Sequence, residues 1–157
     1  MSSAFLAYFS LAALMPPPLP IEHRSVSLEM ANSIAEAALV SCRTMNRDAV
    51  VAIVDRGGNL IALQRGDGVG PHNTNAAERK AFTALSTKTS TSRLAQRAAT
   101  EPASANLISV AELLLLGGGL PIIHEGEVIG GIGVAGSGGS ESDEQCAMAA
   151  LAHGTQQ

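Results

Sequence analysis

The chain has 157 residues, of which 46% are hydrophobic, 15% charged and 3% aromatic, and this length fits a single domain. Its formal net charge is −4 and its Lys and Arg residues form no cluster, which argues against a nucleic-acid partner. The low charged fraction predicts more apolar surface than one core can bury, so we expect a homo-oligomer.

The chain begins with an apolar stretch at residues 3–15, followed by the proline-rich residues 16–20. The apolar stretch is too short to span a bilayer, and it lacks the basic n-region and the clean cleavage site of a secretory signal. We therefore expect no membrane span and a cytoplasmic protein, with secretion as the less supported alternative. Residues 1–20 are predicted to be an apolar segment with a stiff connector, and residues 21–157 the domain proper.

The first part of the domain is predicted to be a helix followed by a hairpin. Ser27 is a good N-cap, and Glu29 in the next turn suits the helix dipole. An apolar helical period then continues to about Met45. Residues 49–55 (AVVAIVD) form a buried strand, and residues 60–64 return antiparallel to it after a glycine-containing turn.

The middle of the chain is predicted to be helical, and the chain ends in a further helix. A glycine-rich loop at residues 66–72 precedes a helix that starts near Asn73, and a short second helix lies within residues 86–100. The region 102–109 is a loop or a short helix. Ser140 is the expected cap of the last helix, residues 141–152, whose first turn is acidic.

The sequence LLLLGGGLPIIHEGEVIGGIGVAG, residues 113–136, predicts a second hairpin. Two β-branched runs, 121–124 and 128–134, are separated by a short turn in which Gly126 can adopt positive φ. The last six residues also spell G-x-G-x-x-G. We reject a dinucleotide site, because that motif follows a strand and opens a helix, whereas these glycines lie inside the strand and indicate close backbone packing.

Two hairpins separated by helices cannot form a parallel β-α-β sheet. The predicted fold is therefore α+β, with an antiparallel sheet built from two hairpins and flanked by helices. Cys42 and Cys146 each fall in a predicted helix, far apart in the chain, and are interpreted as small buried hydrophobic residues rather than as a disulfide.

Four blocks of sequence, in this order, resemble the GlcG/HbpS family, which is related to the C-terminal domain of PduO corrinoid adenosyltransferases. They are VDRGGNL at 54–60, KAFTA at 80–84, GGGLPI at 117–122 and IGGIGVAG at 129–136, the last followed by Asp143 and Glu144. The resemblance extends over residues 27–152. It implies a profilin-like α+β fold and homo-oligomers, with haem bound by some members and a link to corrinoids in the PduO type.

The loop before the KAFTA helix departs from the family pattern. Where the family commonly reads like D-x-A-x-x-x-S-x-D-I-A, this chain has DGVGPHNTNAAE at 67–78. A histidine, two asparagines and a glutamate thus replace smaller or less polar residues, which suggests a different ligand or an added chemistry.

The candidate site residues cluster around this loop and the glycine triple. His72 can ligate haem iron or act as an acid or base near neutral pH, and Glu78 can act as a general base or bind a metal with His72. Arg79 and Lys80 can anchor a carboxylate or a haem propionate. Asn73 and Asn75 are either helix caps or ligand contacts. The amides of Gly118 and Gly119, with the loop 137–140, can hold an anion at a helix N-terminus.

Two functions compete on these residues. The first is an oligomeric protein that binds haem or a related tetrapyrrole, with corrinoid as another ligand and His72 as the iron ligand. The second is a small cofactor-free isomerase or lyase that transfers a proton on a small carboxylate substrate through His72, Glu78 and Lys80. A third hypothesis is an accessory subunit that binds no ligand.

Overall fold

The computed structural model describes residues 18–154. The apolar stretch at 3–15 and the start of the proline run lie outside the described residues, so the boundary at residue 20 stays a prediction. The element order is α1 (Leu28–Thr44), β1 (Val50–Asp55), β2 (Leu60–Arg65), α2 (His72–Thr87), α3 (Thr91–Thr100), a 3₁₀ helix (Ala105–Ser109), β3 (Gly119–His124), β4 (Glu127–Ala135) and α4 (Ser140–Gly154). This order confirms the predicted α+β fold.

The four strands form one antiparallel sheet in the order β2-β1-β4-β3. Each predicted hairpin is an adjacent pair, and β1 joins the two hairpins by pairing with β4. Asp55 at the end of β1 lies opposite Gly130 near the start of β4. The turn of the first hairpin and the turn of the second hairpin therefore lie at the same end of the sheet.

Helices cover both faces of the sheet. The main core lies between the sheet and the pair α1 and α4, and it includes Ile34, Val51 and Ile132. The opposite face carries α2, which packs against Val50 and Ala52. Residues 50–54 are fully buried, as expected for a central strand covered on both faces.

The helix α2 lies directly on a strip of three glycines, Gly119, Gly131 and Gly133. A side-chain carbon added at any of the three would overlap a backbone carbonyl oxygen of α2. Because glycine has no side chain, the helix backbone approaches the strands without a layer of side chains between them. The prediction that the glycines of β4 mark close backbone packing is confirmed.

A disulfide joins α1 to α4. Cys42 and Cys146 are bonded, with their Cα atoms 5.3 Å apart, and both side chains are fully buried. The prediction of two free cysteines was wrong. The two cysteines are 104 positions apart in the chain, and only the tertiary packing of α1 against α4 brings them together. The local sequence around each cysteine therefore gives no indication of the bond.

Two helices begin at a serine cap, of which Ser27 was predicted and Ser90 was not. Ser27 caps α1, since its Oγ accepts a hydrogen bond from the backbone N–H of Met30 at 3.2 Å. Ser90 caps α3 in the same way, through the N–H of Arg93 at 3.3 Å. Among residues 18–154, no helix is both long and apolar enough to cross a bilayer.

Candidate functional site

The N-terminal end of α2 carries the polar residues that distinguish this chain. His72 is exposed, and its imidazole folds back against Gly70, where an added Cβ would lie 3.1 Å from Cε1. The amide of Asn73 donates to the carbonyl of Gly70 at 3.1 Å. Asn73 therefore closes the preceding loop onto the helix, whereas Asn75 is exposed on the outer side of α2.

Arg79 is hydrogen-bonded to the loop that precedes β3. Its guanidinium Nη2 donates to the carbonyls of Ala111 at 2.7 Å and Leu113 at 2.8 Å. One turn further along α2, Thr83 Oγ1 accepts from the backbone N–H of Leu114 at 2.8 Å. Arg79 is therefore bound to two main-chain carbonyls of its own chain, and its role as an anchor for a ligand carboxylate stays a prediction.

Lys80 is buried, with 1% of its surface exposed. Its Nζ donates to the Asp143 carboxylate at 2.8 Å and to the carbonyl of Val134 at 2.9 Å. Asp143 also accepts from the backbone N–H and the Oγ of Ser137, at 2.9 Å and 2.7 Å. In this arrangement the ammonium of Lys80 bridges α2, β4 and α4, and no ligand reaches it without breaking that bridge.

The glycine triple lies against the same ion pair. Gly118 has φ +115, and an added Cβ would lie 2.7 Å from the Asp143 Cβ and 3.0 Å from the Lys80 Nζ. The N–H of Gly119 donates to Thr91 Oγ1 at 2.8 Å. The Asp143 carboxylate at the start of α4 is held by Ser137 of the loop 137–140, and anion binding by the amides of Gly118 and Gly119 stays a prediction.

The structure does not bring the proposed catalytic set together. His72 and Glu78 are six residues apart on α2, which places them about 9 Å apart along the axis and about 120° apart around it. Lys80 is on the buried side of the helix. Proton transfer by a residue set needs its members within hydrogen-bond reach of one reacting centre, and this arrangement does not supply such a centre.

A groove opens at the other end of α2, between the two hairpin turns and the C-terminal turn of the helix. We call it the hairpin groove. Its volume is about 530 Å³, within the usual range for small-molecule sites. Its lining residues are Arg56, Gly57, Gly58, Phe82, Leu85, Ser86, Lys88, Gly126, Glu127 and Val128.

The wall of the hairpin groove combines an apolar surface with two cations and one anion. Phe82, Leu85 and Val128 supply the apolar surface. Arg56 and Lys88 carry the positive charges. Lys88 ends α2 in the left-handed region, with φ +54, a conformation that favours glycine.

Arg56 ties the two hairpin turns together. Its Nη1 lies 3.3 Å from both the Glu127 carboxylate and the carbonyl of Val128, and its backbone N–H donates to Ser25 Oγ at 3.2 Å. Glu127 is therefore the partner of one of the two groove cations.

Asp55 stabilises the first turn. Its carboxylate accepts from the backbone N–H of Asn59 at 2.8 Å and from the Asn59 side chain at 3.1 Å. Burial acts to raise the pKa of Asp55, but these hydrogen bonds, with backbone N–H groups of Gly57 and Gly58, outweigh it and lower the pKa.

Sequence reasoning missed the groove residues, and its candidate iron ligand, His72, lies at the opposite end of α2 from them. His72 and Lys88 are 16 positions apart, which is about 24 Å along α2. The available signal was Arg56 inside the VDRGGNL block, together with the antiparallel topology that brings both turns to one end. In the part of the chain that the structure describes, no group of three or more His, Cys, Asp or Glu side chains could hold a metal ion.

Comparison with known proteins agrees with the fold and with the resemblance. HbpS from Streptomyces reticuli, in a double-mutant crystal structure, matches with a TM-score of 0.79 and 37% identity over 98% of each chain. Protein GlcG from Escherichia coli K12 is 32% identical over 113 residues, 70% of this chain and 81% of GlcG. The crystal structure of a PduOC:haem complex matches with a TM-score of 0.73 and 26% identity, over 81% of this chain and 93% of that one.

A family model described as "Haem degrading protein HbpS-like" matches residues 26–152, nearly the whole of the described domain. The chain therefore belongs to the HbpS-like family.

Proposed function

We propose that this protein binds haem or a related tetrapyrrole in the hairpin groove. The observation that carries the proposal is the pairing of an apolar wall, from Phe82, Leu85 and Val128, with the cations Arg56 and Lys88. Haem has a flat apolar ring and two carboxylates on one edge, so a groove of this composition is complementary to both parts. Family membership and the haem complex of the PduOC relative support the same ligand class.

The iron ligand is a separate question from the location of the ring. In a single copy of the chain, His72 lies about 24 Å from Lys88 along α2, too far to bond an iron centred in the groove. Iron ligation by His72 would therefore require haem at the N-terminal end of α2, or a second copy of the chain. We retain homo-oligomer formation as part of the proposal, because exposed apolar side chains such as Ile108 (75% exposed) remain uncovered in one copy.

Titration with haemin, followed by the Soret band, tests the proposal. Lys88→Gly removes one groove cation at a position whose φ suits glycine, so the fold should survive, and we expect haemin affinity to fall about threefold to tenfold. Lys88→Arg is the matched control and should bind like the original chain. His72→Ala reports on the other end of α2 and should leave binding unchanged.

Three results would contradict the proposal in different ways. The absence of saturable binding would remove haem as a ligand. Binding lost in His72→Ala but kept in Lys88→Gly would move the site to the N-terminal end of α2. Binding that neither variant changes would leave haem as a ligand but remove the groove as its site.

No observation favours the isomerase or lyase alternative, because its three catalytic candidates do not converge. The disulfide is informative about the cellular compartment of the protein. Disulfides persist in oxidising compartments and are rare in the cytosol, so we propose that the protein matures in an oxidising compartment, against the cytoplasmic expectation. Thiol alkylation of the denatured, unreduced protein from its native host, followed by mass spectrometry, should find Cys42 and Cys146 unlabelled, and labelling of both would contradict this.

A further inference from the structure

The contact between Arg56 and Glu127 spans the hairpin groove from one turn to the other. The two side chains meet at 3.3 Å, with 33% of Arg56 and 54% of Glu127 exposed. Glu127 is therefore free to exchange its partner for water at little desolvation cost. Arg56 stays in place after such an exchange, because its backbone is bound to Ser25 and its guanidinium to the carbonyl of Val128.

The groove has one more cation than anion when this contact is intact. Arg56 and Lys88 are the positive groups and Glu127 the negative group among the lining residues. The acidic residues nearest in sequence to Glu127 and Arg56 have other partners, since Glu125 pairs with Arg24 and Asp55 binds Asn59. Lys88 is thus the cation open to a first ligand carboxylate, and Arg56 accepts a second only if Glu127 leaves.

Resting on the proposed function, we propose that Arg56 is a specificity-determining residue of the groove, that it favours tetrapyrroles with two free carboxylates, and that Glu127 occupies its guanidinium until such a ligand binds. The Glu127 carboxylate occupies the position on Arg56 that a ligand carboxylate would take. A haem-type ligand binds one propionate at Lys88 and exchanges the other for Glu127 at Arg56. A corrinoid, whose ring carries neutral amides, cannot make this exchange and is not retained.

The exchange follows from the chemistry of guanidinium. Arg pairs with carboxylates through two parallel hydrogen bonds, and a charge-assisted pair is stronger than a pair with a neutral amide. Replacing one carboxylate by another costs the site no unpaired charge, whereas inserting an amide beside Arg56 would compete poorly with Glu127. Arg56 therefore favours dianionic ligands over neutral ones, and Glu127 competes only with a ligand carboxylate that takes its place.

The test compares haemin with haemin dimethyl ester, which keeps the ring and loses both carboxylates. The variants are Glu127→Gln and, as a control in the same turn, Glu125→Gln. For Glu127→Gln we expect haemin to bind about fivefold more tightly, the equilibrium ratio for an exposed ion pair at the upper end of its usual strength. The ester should bind the variant and the original chain equally and more weakly than haemin does. Cobalamin should not bind either protein.

The outcomes separate this proposal from the proposed function. Equal affinity of the original chain for haemin and its ester would overturn the carboxylate selection while leaving haem as the ligand. A parallel loss of both ligands in Glu127→Gln, or tightening in Glu125→Gln as well, would assign Glu127 a structural role and also overturn it. No haemin binding to the original chain or to Glu127→Gln would overturn both proposals.

Discussion

Removal of the Lys80 ammonium should destabilise the fold severely. In Lys80→Met the Asp143 carboxylate stays buried with only its two hydrogen bonds from Ser137, and the carbonyl of Val134 loses its donor. Breaking a buried ion pair by deleting one partner costs about 3–5 kcal/mol. A domain has about 5–15 kcal/mol of unfolding free energy, so much of it would be lost.

A double-mutant cycle separates this structural role from the ligand role predicted from the sequence. Lys80→Met with Asp143→Asn removes both charges and keeps an oxygen that can accept from Ser137. We expect the double variant to lie within about 2 kcal/mol of the original chain, giving a coupling energy of at least about 2 kcal/mol. Urea unfolding followed by far-ultraviolet circular dichroism measures each corner of the cycle.

The reasoning would be refuted if Lys80→Met cost less than about 1 kcal/mol and the second substitution brought no recovery, because a buried pair cannot behave so. If Lys80→Met stayed as stable as the original chain but lost haemin binding, the ligand role of Lys80 would be correct and the structural role wrong.

Three further substitutions test the disulfide, the glycine strip and the first turn. Replacing both Cys42 and Cys146 by Ala should lower the unfolding free energy by about 4 kcal/mol, since the bond closes a loop of about 100 residues; urea unfolding of the variant should be insensitive to dithiothreitol. Gly133→Ala should cost about 3 kcal/mol or more, because its methyl group meets a backbone carbonyl of α2, as measured by thermal unfolding. Asp55 has a lowered pKa in the fold, so its contribution is present above its ordinary pKa of 3.8 and is lost as pH falls through the lower folded value. Asp55→Asn, which keeps an oxygen for the N–H of Asn59, should therefore flatten acid unfolding below pH 3.8.

Each of these expectations has a contrary result. Destabilisation of the double cysteine variant by dithiothreitol would mean that the reductant acts on something other than the disulfide. A Gly133→Ala variant as stable as the original chain would remove the steric argument. An unchanged acid transition in Asp55→Asn would show that the turn carboxylate is not linked to unfolding.

Local sequence was a good guide to elements and a poor guide to the site. Caps such as Ser27, and β-branched runs around Gly126, depend on neighbours in the chain, so the helices and both hairpins were predictable. The role of Lys80 was not, because its partner Asp143 lies 63 positions away and only the packing of α2 against α4 brings them together. The groove was missed for the same reason: Arg56, Lys88 and Glu127 are ordinary surface residues until the sheet order places their three segments side by side.

The glycine strip limits how far the distance between α2 and the sheet can change during evolution. In most cores, helices shift relative to sheets as side chains between them change in volume, and the shift accumulates with divergence. Between α2 and the strands at Gly119, Gly131 and Gly133 there is no side chain to exchange, so the separation is set by backbone van der Waals radii alone. Wherever relatives keep these glycines, the distance from helix to sheet should be their least variable measurement, and the end of α2 that forms one wall of the groove should keep its position while the ligand-facing residues change.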